Sequence, residues 1–350
     1  MPFRRDGPSP SRIGIGRRSR APSEQRCDFG MTMLRLGIIG AGAIAAEHVA
    51  AFGRLGCDVR IVMTPQAASA AAFAHRHAIA RSTGDLSEVV GASDIDAVVV
   101  ASPNAMHAEQ TLAALKARKH VLCEIPLATS FAEAERITET AHAMGRLCMV
   151  CHTQRFWAPV EHLGHLIARG VIQPLHIGLV RAMHRRENVG WTGRKRSWVD
   201  DILWHHGAHA IDTATYLLGE RITDVVGHAG PPHPQTGKPL DVSLAVATAS
   251  RRIGTILLSY NSHIPLNEIM LVAAEDSFRF EAGRLSSSNG QVLLQGTDAE
   301  MQELAIDAQN GRFLEGVTRG TTVDTSAERV LPIYAALQMA ASFLTREFGG

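Results

Sequence analysis

The densest set of chemically competent side chains is the run Trp204-His205-His206-Gly207-Ala208-His209-Ala210-Ile211-Asp212. On a helix, His205 and His209 stand four residues apart and share one face. Asp212, three residues beyond His209, can orient its imidazole. An imidazole titrates near pH 6.5, so such a pair can take up and return a proton at neutral pH. Two chemistries compete for this pattern. The pair can ligate a metal, as helical His-x-x-x-His sites do, or act as acid–base groups beside a redox cofactor. No Glu lies between the two histidines, unlike the helical motif of zinc proteases. The acid–base reading is therefore adopted, with His205, His206, His209 and Asp212 as the catalytic group and no metal expected. Purely structural histidines are the remaining alternative.

A cofactor site is written further upstream. Leu34-Arg35-Leu36-Gly37-Ile38-Ile39-Gly40-Ala41-Gly42-Ala43-Ile44-Ala45 reads as an apolar strand entering a Gly-x-Gly-x-x-Ala turn. An Ala-rich helix then runs to about residue 55. This is the dinucleotide-binding pattern, and each position has a physical task. Gly40 turns the chain tightly out of the strand. Gly42 lets backbone N–H groups approach a diphosphate. Ala43 and Ile44 open the helix whose positive end faces it, and Ala45 is small enough for close packing. The plain alternative is a Gly-rich turn in an ordinary α/β protein. Two later strand ends are polar: Ser102-Pro103-Asn104, leading to His107, and Glu124-Ile125-Pro126. Asn104 and Glu124 can hydrogen-bond nicotinamide or ribose groups there, or simply cap turns. Basic residues gather at Arg155, just after His152-Thr153, and at Arg185, Arg186, Arg194, Lys195 and Arg196. Most such charges are solvated surface, but two beside the site would clamp substrate carboxylates, because Arg forms bidentate pairs.

These residues need a scaffold. A chain of 350 residues, 45% hydrophobic and 20% charged, is expected to form two globular domains. Strands are predicted at 34–39, 58–63, 96–101, 120–124 and 147–151. Helices are predicted at 65–77, 85–91, 105–117 and 130–144. That alternation over residues 31–152 is an α/β doubly wound parallel sheet, a Rossmann domain. From 153 to 350 the rhythm changes to strands at 175–184, 222–229, 241–250, 253–260, 268–274 and 278–281, with a hairpin turn at 250–252. Helices are predicted at 157–169, 200–218, 298–316 and 324–346. This reads as an α+β domain with a large, mainly antiparallel open sheet, whose C-terminal helix can pack back on the first domain.

Composition excludes several classes. Of 35 basic and 34 acidic residues, seven and three lie within the first 30, leaving 28 and 31 in the body. That balance gives no electrostatic case for nucleic-acid or membrane binding. No run reaches the ~18 apolar residues that span a bilayer. Residues 1–30 are Arg-rich without an apolar centre and are expected to be a disordered arm. The five Cys are scattered. Cys148-x-x-Cys151 falls in an apolar strand with no second pair, so plain core thiols of a reducing cytoplasm are expected.

Taken together, Gly-x-Gly-x-x-Ala, Ser-Pro-Asn-x-x-His (102–107), His-Val-Leu-Cys-Glu-x-Pro-Leu-Ala (120–128) and Gly-x-His-x-x-Asp (207–212) resemble the Gfo/Idh/MocA oxidoreductase family. The resemblance spans about 33–346. It implies NAD(P)-dependent hydride transfer between the two domains and a homo-oligomer, dimer or tetramer, built on the open sheet. It also implies that Gly40, Gly42 and Ala45 hold the diphosphate and that Ser102, Pro103, Asn104, His107, Glu124 and Ile125 line the nicotinamide side. The family's Glu-Lys-Pro has Ile125 in place of Lys, and the first Asp of its Asp-x-Gly-x-His is His205. Ile cannot move a proton, so the acid–base task passes to the histidines. Glu-Ile-Pro-Leu-Ala, His-Thr-x-Arg-Phe (152–156), Arg185-Arg186 and the His-His-x-Ala-His run are similar to one branch of the family. Its substrate is a carboxylated cyclic hemiacetal, oxidised to a lactone with NADP. By that resemblance His152, Arg155, Arg185 and Arg186 bind the substrate. After the second strand, Met63-Thr64-Pro65-Gln66 carries neither the acid expected for a free ribose 2′-hydroxyl nor the Ser-Arg expected for a 2′-phosphate. Thr64 can still bond a phosphate, so NADP is favoured over NAD. The rival functions are a dehydrogenase for another acid sugar, lactone or aromatic-derived semialdehyde, and a non-catalytic dinucleotide sensor.

Overall fold

In the computed structural model, residues 33–185, 201–234 and 237–348 are described. The expected N-terminal arm and Arg186, Arg194, Lys195 and Arg196 lie outside the described residues.

Short apolar runs separated by amphipathic segments fold as a parallel sheet of six strands: β1 Arg35–Ile39, β2 Asp58–Met63, β3 Arg81–Thr83, β4 Ala97–Val100, β5 His120–Cys123 and β6 Cys148–Val150. Their order is β3-β2-β1-β4-β5-β6. Every residue of β4 and all but the first of β1 are buried, as expected for strands covered on both faces. The covering helices are α1 Ala43–Arg54, α2 Ala67–Arg76, α3 Leu86–Val90, α4 His107–Lys116 and α5 Phe131–Met144. Ser130 caps α5 by accepting from the Glu133 N–H, and left-handed Gly145 ends it. β3 was not predicted. It has three residues, two of them exposed, and so carries no readable hydrophobic period. The strand order reverses between β1 and β4, and in such sheets the ligand crevice opens at that point, beyond the carboxyl ends of the strands.

After α6 (Ala158–Ala168), an eight-stranded sheet is built from β7 Pro174–His184, β8 Ile222–Ala229, β9 Asp241–Thr248, β10 Ile253–Ser259, β11 Asn261–Ala273, β12 Ser277–Glu281, β13 Arg284–Ser287 and β14 Val292–Gln295. The order is β14-β13-β12-β11-β7-β10-β9-β8, antiparallel except for β7 beside β10. The predicted hairpin turn forms at Arg251, which has φ +67°. β13 and β14 escaped prediction because they are four residues each and half polar or exposed. One face of β9 and β10 is buried while the other is open, exposing Ile253 and Leu257. The buried face meets α7 (Ala208–Leu218) and α9 (Ala327–Phe348). α8 (Asp298–Arg319), started by a Thr297–Glu300 capping box, lies against α1, where Arg54 clasps Asp307 at 2.6 Å. On α9, Tyr334 accepts from the Leu127 N–H at 2.6 Å. Cys148 and Cys151 are buried and free, as expected, and burial raises both thiols well above their ordinary range.

The predicted helix at 200–218 differs in one respect that matters. Leu203–Gly207 forms a π-turn, and only from Ala208 does the regular α-helix run. Such turns insert one extra residue and recur at functional sites. They re-aim the side chains of the turn relative to an unbroken helix.

Candidate active site

The Gly-rich turn leaves β1 with Gly40 at φ +116°, and its N–H donates to Met63 O at 2.7 Å. A Cβ at Gly40 would stand 2.2 Å from Ala101 O, so the turn after β1 and the end of β4 meet only because residue 40 has no side chain. Gly42 is the N-cap of α1. No side chain caps that helix, its first turn holds no acid, and a Cβ at Gly42 would meet nothing within 4 Å. Ala43 and Ile44 form the first turn, and Ala45 is fully buried against the sheet. Free N–H groups, open space and a positive helix end fit a dinucleotide diphosphate. Thr64 follows β2 on the same edge, with its hydroxyl 3.3 Å from Gln66 Oε1.

At the end of β4, the Ser102 hydroxyl donates to Gln110 Oε1 at 2.5 Å, and Pro103 caps a short 3-10 turn over Asn104–Met106. His107 is 1% exposed, with Nδ1 2.7 Å from Pro126 O and Nε2 2.8 Å from Ser102 O. It ties two loops together and does not itself line the cofactor crevice. Ile125 is buried as well, at 3% exposure, and belongs to the core. Glu124 accepts from His48 Nε2 at 2.9 Å. In the neutral ring, His48 Nδ1 can then accept from Asn310 Nδ2, 3.1 Å away. Burial opposes the Glu124 charge, but His48, Cys151 and His107 together outweigh it and hold the carboxyl below its usual range. His48 and Asn310 were not singled out from the sequence. The one signal for His48 is a polar residue on the buried side of an Ala-rich helix.

Asn104 reaches across to the histidines, its Nδ2 3.3 Å from His205 Nδ1. His205 packs edge-on against His206 (4.8 Å between ring centroids), and His206 against Tyr260 (5.3 Å). His209 lies edge-on to His152 at 6.3 Å. Both ring nitrogens of His206 and Nδ1 of His209 are buried without a hydrogen-bond partner among the described residues. Burial, neighbouring imidazoles and Arg181 drive both rings well below their ordinary pKa, so they are neutral at physiological pH.

Three sequence expectations need correction here. Asp212 does not orient His209. It is 1% exposed and is gripped by Arg155, whose Nε and Nη2 bond its carboxylate at 2.9 and 2.6 Å. Its nearest imidazole is His152, at 3.6 Å. Arg155 is therefore not a free clamp for substrate. Its Nη1 also donates to Asp324 O, and its guanidinium lies over Tyr216. His152, 0% exposed, cannot touch substrate either, and burial lowers its pKa to about 4. It sits between Asp212 and His209 as a positioning residue. Removing one partner of a buried pair strands the other charge, so Arg155→Ala should lose about 3–5 kcal/mol of unfolding free energy. Urea titration measures this. A loss under about 1 kcal/mol would show that the Asp212 carboxylate has other support.

Of the remaining basic residues, Arg185 is half-buried, with its guanidinium 5.4 Å from the Tyr260 ring centroid. Arg181, four residues earlier on β7, acts electrostatically on His206 and His209 and was missed. The sequence did carry a signal: Arg181 interrupts an inward-facing alternation with Ile177 and Leu179.

Residues 34–152 match a family described as "Oxidoreductase family, NAD-binding Rossmann fold", and 161–288 match "Bacterial oxidoreductases, C-terminal". The chain is 31% identical over 308 residues to the 4-carboxy-2-hydroxymuconate-6-semialdehyde dehydrogenase of Sphingobium sp. strain SYK-6, covering 87% of this chain and 96% of that one. The chain belongs to the Gfo/Idh/MocA oxidoreductase family. As a Gfo/Idh/MocA member it is a NAD-dependent dehydrogenase with a Rossmann half and a mainly antiparallel sheet. It is also 33% identical over 197 residues to the 1,5-anhydro-D-fructose reductase of Ensifer adhaerens, covering 55% of this chain and 59% of that one. The fold is shared with an Agrobacterium radiobacter oxidoreductase solved in complex with NAD+, L-tartaric acid and magnesium. The TM-score is 0.81 at 17% identity, covering 90% of this chain and 97% of that one. Levoglucosan dehydrogenase in complex with NADH gives 0.78 at 20%, covering 90% and 98%. Among the described residues, no helix is long and apolar enough to cross a membrane.

Proposed function

We propose that this dehydrogenase oxidises 4-carboxy-2-hydroxymuconate-6-semialdehyde, as its cyclic hemiacetal, to the lactone 2-pyrone-4,6-dicarboxylate. The observation that carries the reading is a cluster of imidazoles, His205, His206 and His209, the last two held neutral, joined through Asn104 to the end of β4. The position that holds Lys in the family's Glu-Lys-Pro is Ile125, buried in the core. Near full-length similarity to the Sphingobium enzyme supports the substrate.

When bound, the nicotinamide supplies the acceptor for the hydride. The chain's own residues do the rest. A neutral imidazole, His209 first and His205 second, takes the hemiacetal hydroxyl proton as the carbon loses its hydride, and the C–O bond becomes the lactone carbonyl. Asn104 fixes His205, while His152, beside the Asp212–Arg155 pair, packs behind His209. Glu124, set by His48 and Asn310, is placed to accept from ribose or amide groups. Thr64-Pro65-Gln66 presents no carboxylate to repel a 2′-phosphate, which favours NADP. Absorbance at 340 nm on mixing enzyme, NADP and the semialdehyde tests the proposal, with lactone formation followed by mass. Turnover of neutral sugars with none of the semialdehyde would overturn it.

A further inference from the structure

β7 is a central strand, flanked by β10 and β11. Its inward register runs Ile177, Leu179, Arg181, so a guanidinium occupies a position that an apolar side chain should fill. Arg35 and Arg155, both also half-buried, donate to carboxylates, and Arg146 and Arg252 donate to main-chain carbonyls. Arg181 has no hydrogen bond or ion pair among the described residues. It has only the face of Trp157, 5.6 Å from its guanidinium carbon. Asp298, in the first turn of α8, acts on it through space but forms no ion pair with it. Burial lowers its pKa to about 10, so it still carries its charge at neutral pH. A desolvated cation without an anion is costly, and proteins keep one where a ligand supplies the countercharge. The charge is felt directly by His206 and His209.

We propose that Arg181 is the anchor for a substrate carboxylate, and that the site therefore selects a ring that carries a carboxylate. This rests on the function proposed above and deepens it. Arg155, held by Asp212, cannot take that part. A guanidinium offers two parallel N–H donors to a carboxylate, and the neighbouring neutral imidazoles add donors without adding charge.

Arg181→Met keeps an apolar stem against Trp157 and removes the charge. Calorimetric titration of the dinucleotide-loaded enzyme with 2-pyrone-4,6-dicarboxylate, and separately with its dimethyl ester, reads the anchor without turnover. The wild type should prefer the dianion by about 10²-fold or more, and Arg181→Met should abolish that preference while binding dinucleotide normally. Arg181→Lys, a compact charge without the planar fork, should retain part of it and serves if the Met variant does not fold. Wild-type indifference between dianion and ester, or an Arg181→Met variant with undiminished preference, overturns the anchor. The two proposals fail separately. Dianion binding through Arg181 without semialdehyde turnover removes the reaction and leaves the anchor. Turnover undiminished in Arg181→Met removes the anchor and leaves the reaction.

Discussion

His209→Ala is expected to lose between about 10² and 10⁴-fold in kcat while folding and binding dinucleotide as the wild type does. The ring is neutral, lies in the histidine cluster, and has an Nδ1 with no partner among the described residues. Its pH dependence separates it from a structural histidine. A general base works only when unprotonated. Burial, His152 and Arg181 lower the pKa of His209, so it stays unprotonated to a lower pH than a free imidazole does. The acid limb of kcat/KM, which reports the free enzyme, should therefore fall below pH 6.5 and not at it. His205→Ala should cost less, because its Nδ1 is engaged with Asn104. Near-full turnover in both single variants would assign the proton to some other group.

Gly42→Glu should abolish dinucleotide binding without unfolding the chain. A Cβ at this position meets nothing within 4 Å, so the scaffold tolerates the substitution. The carboxylate then lies over uncapped N–H groups of α1 and takes the place of the diphosphate. Calorimetry of the folded variant should show affinity reduced by at least about 10²-fold, with Gly42→Ala in between. Gly40 makes the contrast. A Cβ there would collide with the Ala101 carbonyl, so Gly40→Ala should disturb the fold itself. Unchanged affinity in Gly42→Glu would show that the diphosphate lies elsewhere.

What could be read from the sequence was local. The turn at Gly40 and Gly42 and the buried strand Ala97–Val100 follow from backbone sterics and hydrophobic runs, which need no knowledge of distant chain. The histidine cluster was legible as a cluster, but its partners were not. Asp212 and His209 lie three residues apart, yet the carboxylate is claimed by Arg155, 57 residues upstream. Adjacent sequence suggested the wrong pair because a bidentate guanidinium outcompetes an imidazole for a buried carboxylate. The π-turn at Leu203–Gly207 has no pattern of its own, since its hydrogen bonds depend on packing. Arg181 was within reach. A charge in the inward register of a predicted strand is a local conflict, and such conflicts concentrate at functional sites.

The long-range tie from Glu124 through His48 to Asn310 bears on how the protein is made. His48 and Asn310 are 262 residues apart, and the Gly-rich turn, the carboxylate and the first imidazole are all translated well before α8. Synthesis proceeds at about 5–20 residues per second, and N-terminal segments begin to fold first. For that interval the six-stranded half lacks the helix that fixes His48 and, through it, Glu124. The nucleotide crevice is thus finished late, when residues near 310 emerge. Closing so long a loop costs entropy that short-range contacts do not. Completion of the crevice becomes a report that α8 has been made and has met α1.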